Sequence, residues 1–431
     1  MNKELKPLSL YIHIPFCVRK CLYCDFLSFP TEGKKYLGEV KSYVSLLCEE
    51  IREYGRILKD RYYIRTVFIG GGTPSIIGEK LLKIDEALCE SFDNLSDCIE
   101  MSIEVNPGTV DARFTEVLRR MKTNRVSIGL QSANASELKS LGRIHDYEQF
   151  LKTYDYVRSA EIHNVNIDIM ADIPGQTCES YEETLRKVIH LNPEHISAYS
   201  LIVEPGTVFY EMDERGELDI PDEETDRRMY HMTKDILLSA GYKRYEISNY
   251  AKDQFNCLHN LAYWDRDEYL GLGLGASSLI KTGFEDYEFR LDNPRSIKEY
   301  ESYIDGFKSG NSLEFLFDKG FYEDGSKDCN RDSFGDELVE RVRLVNEKAQ
   351  LLNQKEEIEE FFFLGLRKID GVSLKRFREV FNCDALQIYG DVIKKLVNDG
   401  LLEYNSKAEI IKLTEYGTDV SNMVMSEFLI N

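Results

Sequence analysis

Long apolar runs are missing from this chain of 431 residues. No stretch approaches the roughly 18 to 20 apolar residues that an ordinary membrane-spanning helix needs. The opening Met1-Asn2-Lys3-Glu4-Leu5-Lys6 has no apolar core of the kind an export signal carries. A cytoplasmic protein without a transmembrane segment is therefore expected. Dense Lys/Arg runs are also missing. With 54 Lys+Arg against 76 Asp+Glu the net charge is −22, which repels phosphate backbones at long range and argues against a nucleic-acid partner. No repeat or long low-complexity segment is present. The charges are spread along the chain rather than collected in tails, and 42% of residues are hydrophobic, so packed cores rather than disorder are expected. Tryptophan occurs once.

What is present is a recurring alternation. Leu8–Ile14, Thr66–Ile69, Met101–Val105, Arg125–Leu130, Val165–Met170 and Ile196–Val203 are short runs of strand formers separated by amphipathic helical stretches. Such spacing reads as βα units around a parallel sheet. Each run ends in Gly, Pro or polar residues: Pro15, Gly70-Gly71-Gly72-Thr73-Pro74, Asn106-Pro107-Gly108, Gln131-Ser132, Asp172-Ile173-Pro174-Gly175 and Glu204-Pro205-Gly206. Polar strand tips are where β/α barrels place their chemistry. A partial (β/α)6, TIM-like barrel over residues 1–285 is expected, with an open doubly wound sheet as the alternative. Residues 286–354 read as a linker with an acidic insertion. Residues 355–431 read as a small, mostly helical, winged-helix-like domain, with a helix near Gly390–Leu402 and a hairpin from Leu401–Tyr404 and Ile410–Leu413.

Of ten cysteines, seven are scattered: Cys48, Cys89, Cys98, Cys178, Cys257, Cys329 and Cys383. The other three are packed into Cys17-Val18-Arg19-Lys20-Cys21-Leu22-Tyr23-Cys24, directly after the first strand. In a reducing compartment clustered thiols point to metal or redox chemistry rather than disulfides. Three thiolates on one loop can hold three irons of a [4Fe–4S] cluster and leave the fourth open to a small chelator. Structural zinc asks for four closed ligands, and this loop offers three, with His13 back in the strand. Unrelated buried thiols are the remaining alternative.

Other strand tips carry polar residues with two readings each. Gly71, Gly72 and Thr73 let backbone approach a ligand or simply turn the chain. Glu104, Gln131, Arg143 and Asp168 are site groups or satisfied rim residues. Further along, His259-Asn260-Leu261-Ala262-Tyr263-Trp264 holds the single Trp.

The cysteine loop resembles the signature of the radical S-adenosylmethionine (SAM) superfamily. In that superfamily SAM chelates the open iron, and an electron from the cluster cleaves it to a 5′-deoxyadenosyl radical. The order of strand-tip residues is similar to that of the oxygen-independent coproporphyrinogen III oxidase family. The resemblance implies SAM contacts from Tyr11, Gly71, Gly72, Thr73, Glu104, Gln131, Arg143 and Asp168, a backbone contact near Ile202, and cluster ligation by Cys17, Cys21 and Cys24. Arg143 would suit the SAM carboxylate. The true oxidases of the family carry a fourth Cys two residues after the third; here Phe26 stands there. In that respect, and in the motif that opens at His259, the chain resembles the haem chaperone branch. That resemblance implies haem bound through His259, transfer to an acceptor protein, and an electron donor such as a flavodoxin or ferredoxin. Cys257 is a rival iron ligand. Two features depart from the family: Ser277 stands where many members have His, and residues 312–350 form a longer acidic stretch. The alternatives are oxidative decarboxylation of coproporphyrinogen III and radical chemistry on another tetrapyrrole.

Overall fold

A computed structural model describes residues 5–31, 35–282, 287–317 and 331–430. Cys329 and residues 318–330 of the expected acidic insertion lie outside them, as do Met1–Glu4.

Six parallel strands form the frame: Lys6–Ile14, Tyr62–Gly71, Glu100–Val105, Arg125–Gln131, Asn164–Ala171 and His195–Ser200. They pair in chain order, each with the next. The strands alternate by face. Leu8, Leu10, Ile12 and Ile14 of the first strand, with Val67, Ile69, Ile103, Val126, Ile128, Val165, Ile167 and Ile196, join the main apolar core. That core lies between strands and covering helices. The helix Lys35–Leu58 meets it with Val40, Tyr43, Val44, Leu47, Ile51, Tyr54 and Leu58, the three- and four-residue spacing that keeps one helical face inward. Each large apolar side chain buried in this outer layer stabilises the barrel by roughly 1.5–3 kcal/mol. The opposite faces are polar. Ser9, Thr66, Ser127, Asn166, Asp168, His195 and Ser197 bond one another or a neighbouring side chain across the lumen.

The covering helices start at well-made caps. Asp111 accepts from the backbone of Arg113 and Phe114, and Asp146 and Thr177 form capping boxes with Gln149 and Ser180. These fix the βα turns that carry the polar strand tips.

The sheet does not stop at six strands. Tyr269–Leu272 adds parallel to the first strand, and Ser277–Lys281, Glu288–Asp292 and Gln350–Leu351 continue antiparallel; on the far side Asn249–Ala251 adds antiparallel to the sixth, and Lys243–Arg244 antiparallel to Asn249–Ala251. The expected linker is thus corrected over its described part. Phe289, Leu291, Tyr300, Ile304, Leu316, Leu338 and Val342 belong to the main core. Alternating charged and apolar residues hid these anchors in the sequence. The sixth strand also ends at Ser200, short of the expected Val203.

A second core starts at Ile358 and runs to Phe428. It holds the helices Gln354–Gly365, Leu374–Phe381 and Ala385–Asn398 against a three-stranded antiparallel sheet of Val372–Ser373, Ile410–Leu413 and Leu402–Asn405. The expected helix begins earlier than Gly390 because Asp384 caps it. This is the strand and helix order of a winged helix. Among the described residues no helix is long and apolar enough to cross a membrane.

Candidate functional site

A cavity of about 150 Å³ opens at the C-terminal ends of the parallel strands. Cys17, Cys21, Cys24, Gly71, Gly72, Glu104, Gln131, Arg143 and Asp168 all line it, so nine of the residues singled out by sequence come together. Asn106, Ser127 and Tyr199 line it too and were missed. Their signal was present in part: Asn106 opens the Asn-Pro-Gly turn after the third strand, and Ser127 and Tyr199 sit at lumen positions of their strands.

Loop glycines bring the backbone in. A Cβ on Gly72 would lie 2.5 Å from the Phe16 carbonyl oxygen and 2.9 Å from that of Ile14. Gly71 has φ +109°, and its Cβ would strike the His13 ring at 2.4 Å. Gly71 N–H donates to Glu104 Oε2 at 3.0 Å. Thr73 is buried behind the loop, where its hydroxyl donates to Cys17 Sγ (3.6 Å) and accepts from Asn106 Nδ2 (2.7 Å). Gln131 takes a left-handed φ of +69° at the strand end, and its Oε1 accepts from Tyr199 Oη at 3.0 Å. A non-glycine residue held there marks strain kept in place by the surroundings.

The charges are arranged for a ligand. Arg143 is anchored by Asn106 Oδ1 at 2.8 Å and by the Gly129 carbonyl, and its Nη1 reaches Cys21 Sγ at 3.7 Å. Its Nε is buried without a partner. Burial, with Asp168 close by, pushes the Glu104 carboxyl up to about 7. Asp168 is raised by burial while Ser127 and Asn166 hold it through hydrogen bonds. Burial raises Cys17, and lifts Cys24 to about 11, so both thiols need a metal to become thiolates. Among the described residues no three His, Cys, Asp or Glu side chains converge as on a single ion; the three thiols all line the one cavity. The donor set, the unpartnered Arg143 nitrogen and the glycine cradle fit an iron–sulfur cluster with a small zwitterionic chelator.

Phe26, 60% exposed, is shared between this cavity and a second cleft of about 360 Å³. The cleft is lined by Tyr11, His13, Leu27, Tyr263, Tyr269, Ser277 and Arg295, among others. Tyr11 therefore faces the second cleft. Its hydroxyl bonds His13 Nδ1 at 2.9 Å. Ser277 bonds Asp292 through its hydroxyl.

Two expected site residues lie apart. Ile202 is 67% exposed and lines neither space. His259 is 1% exposed. It sits in the lumen on the helix Leu258–Trp264, with Nδ1 on Thr66 Oγ1 (2.9 Å) and Nε2 on Tyr263 Oη (3.0 Å). Cys257 is also fully buried, with its thiol raised to about 12 by burial.

Residues 11–188 match the family model of the radical SAM superfamily, and residues 352–419 match the HemN C-terminal domain. The heme chaperone HemW of Lactococcus lactis is 33% identical over 99% of this chain and 98% of its own length. HemW of Bacillus subtilis is 32% identical over 98% and 99%. Among solved structures, coproporphyrinogen III oxidase (HemN) from Escherichia coli superposes with a TM-score of 0.77 over 99% of this chain and 91% of its own, at 20% identity. At that identity the likeness speaks to fold alone.

Proposed function

Since the chain belongs to the HemW family of radical SAM proteins, we propose that it is a haem chaperone: it binds haem beside a SAM-liganded [4Fe–4S] cluster and passes it to an acceptor protein. The observation that carries this reading is the second cleft. It joins the cysteine cavity at Phe26 and presents the rings of Tyr11, Tyr263 and Tyr269 together with the Arg295 guanidinium. Aromatic faces suit a flat macrocycle, and a guanidinium suits a propionate carboxylate.

Cys17, Cys21 and Cys24 would hold the cluster, and Arg143, Gln131, Glu104 and Asp168 would orient SAM, with Gly71 and Gly72 passing its backbone side. When bound, the cluster and SAM supply one-electron chemistry. Arg143, whose buried Nε is unpartnered, would neutralise the carboxylate of SAM. Exposed Val18, Arg19 and Lys20 ring the cysteine loop. Their positive charge suits an acidic donor of the flavodoxin or ferredoxin class. Phe26 stands where the oxidases of the wider family have a fourth Cys, which favours carriage over decarboxylation.

The test is anaerobic haemin titration of the cluster-reconstituted chain, followed by Soret absorbance, with mass-spectrometric assay of coproporphyrinogen III in parallel. Saturation near one haem per chain, without decarboxylated product, is expected. Absence of saturable binding, or SAM-dependent loss of carbon dioxide from coproporphyrinogen III, would overturn the reading.

A further inference from the structure

Glu50 is a carboxyl on an apolar helix face. The helix Lys35–Leu58 buries Tyr43, Leu47, Ile51 and Tyr54 in the main core, and Glu50, 0% exposed, lies among them. A leucine there would cost less, so the carboxyl is explained by what it holds. Oε2 accepts Gly273 N–H at 2.7 Å and Tyr300 Oη–H at 2.5 Å, and Oε1 accepts Asn293 Nδ2–H at 2.7 Å. Asn293 Nδ2 also donates to the Gly273 carbonyl at 2.8 Å. The two gripped segments are zipped to each other: Asn293 N–H donates to Ala276 O and Gly275 N–H to Pro294 O, each at 2.9 Å. Tyr43 Oη takes Leu274 N–H at 3.1 Å and donates to His13 O at 2.6 Å. Gly273, at φ +96°, is pressed so close that a Cβ would lie 2.4 Å from Tyr43 Oη. Gly275, Ala276, Ser277 and Arg295 follow along these segments, and they line the second cleft. One buried carboxyl thus underpins one wall of that cleft.

We infer that Glu50 is a positioning residue for the second cleft, and that the proton on its carboxyl regulates how readily the wall of Gly275, Ala276, Ser277 and Arg295 opens to release a bound macrocycle. The identity of that macrocycle rests on the haem reading above; the brace does not. The titrating groups that face Glu50 are phenols: Tyr43 and Tyr54 from its own helix, Tyr300 and Tyr303 from the helix Ile297–Lys308. Burial holds all four protonated. His13 reaches the brace through its carbonyl, while its ring bonds Tyr11 and Leu27 O. Of the charged residues beside Asn293, Asp292 bonds Ser277 and Arg295 lines the cleft.

The carboxylate form is therefore held by hydrogen bonds against the cost of burial, and these opposed effects bring Glu50 up to about 7 from its ordinary 4.5. When the wall opens, water reaches the carboxyl and the proton leaves to solvent at the ordinary value. A closed-state value above the open-state one makes the brace strongest at low pH and weakens it as pH rises through about 7. With those two values the opened fraction grows roughly tenfold from about pH 6 to about pH 8.

The experiment is hydrogen exchange of peptides spanning 271–277 and 293–295 in the reconstituted full chain from about pH 6 to about pH 8. Each rate is divided by the intrinsic chemical rate at that pH. Haem dissociation is followed in parallel by capture in apomyoglobin. Wild type, Glu50→Gln and Tyr300→Phe are compared, and a cooperative thermal melt checks that each folds. In wild type, opening and haem release should both rise roughly tenfold across this range and level off above about pH 7. Glu50→Gln cannot titrate, so both profiles should be flat. Tyr300→Phe removes a donor to the carboxylate and keeps the ring against Tyr43. Its levelling should move to higher pH, which loss of packing alone would not produce. SAM affinity at about pH 7 should be the same in all three chains, because Glu50 and Tyr300 stand outside the cysteine cavity. Flat exchange in wild type, a profile kept in Glu50→Gln or one unmoved in Tyr300→Phe would overturn the brace as a proton-regulated device. Haem release that ignores an exchange profile of the expected form would overturn the wall as the way out. Absence of saturable haemin binding would remove the haem reading, and exchange alone would still decide the brace.

Discussion

Glu100→Ala should unfasten the helix that carries Tyr263 and His259. That helix, Leu258–Trp264, begins at Cys257, whose side chain makes no cap hydrogen bond. The first-turn amides are satisfied from the sheet instead. Glu100, 3% exposed on the third strand, accepts Leu258 N–H at 2.8 Å with Oε2 and His259 N–H at 3.1 Å with Oε1, and Oε1 also takes Cys257 Sγ–H at 3.6 Å. Truncation to Ala orphans two buried amides. Each orphaned buried donor costs about 1–3 kcal/mol, and a water entering the vacated space returns part of it, which leaves about 2–4 kcal/mol. The loss falls on one helix, so it is read locally, by amide hydrogen exchange of the peptide around 257–264. At about 1.4 kcal/mol per tenfold, exchange should speed up by roughly 30- to 1000-fold there and little in the second strand. Glu100→Gln retains one acceptor oxygen and should fall between. Haemin affinity should drop in the same order. Unchanged exchange in Glu100→Ala would refute the view that this carboxylate holds the helix in register, and with it the route by which the barrel positions Tyr263.

Gly72→Ala places a methyl 2.5 Å from the backbone oxygen of Phe16, which neither strand nor cysteine loop can yield without moving Cys17. Iron incorporation and SAM affinity, measured by cluster absorbance and calorimetry, should each fall at least tenfold; normal values in a folded variant would refute the cradle. Glu50 offers a pH test. Burial pushes its carboxyl up to about 7, although Gly273 N, Asn293 Nδ2 and Tyr300 Oη all donate to it. The folded chain thus keeps a proton that the unfolded chain releases near pH 4.5. Stability from this group is fully present below that pH and is lost as pH rises through about 7. The gap corresponds to about 3 kcal/mol. In urea unfolding, Glu50→Gln should gain on wild type by about that amount between pH 4.5 and pH 8; a constant difference would refute it.

The frame was legible because a strand writes its two faces into alternate residues. Leu8, Leu10, Ile12 and Ile14 announce a covered sheet, and Ser9, Tyr11 and His13 the lumen. The cysteine spacing and the polar strand tips gave the cavity for the same reason: each is local. What stayed hidden was pairing across distance. Residues 288–292 and 350–351 join the sheet through partners far away in the chain, and charged neighbours made them read as linker. His259 looked like a presented ligand in its motif. Only the long-range bond to Thr66, together with the one to Tyr263 a turn further along the same helix, shows the ring to be spent.

Bonds between distant residues also join parts that the sequence keeps separate. From the cysteine cavity, Asp168 accepts from Asn166 at 2.7 Å, Asn166 bonds His195 at 2.6 Å, His195 bonds Tyr245 Oη at 2.8 Å, and Tyr245 accepts the Cys257 amide at 3.2 Å. The path ends at the start of the helix with Tyr263. At its other end that helix is tied to the second core. Trp264 lies under the Arg367 guanidinium at 4.4 Å, Arg266 Nε bonds Glu360 at 2.8 Å, and Asp265 bonds Arg376 at 3.1 Å. One seven-residue helix therefore touches the lumen, the aromatic cleft and the C-terminal unit. A lumen filled with apolar side chains would have made a tighter barrel, but it would have carried none of these directional links. The polar interior gives up packing energy for a geometry in which the ligand pocket and the C-terminal unit bear on the same tyrosine.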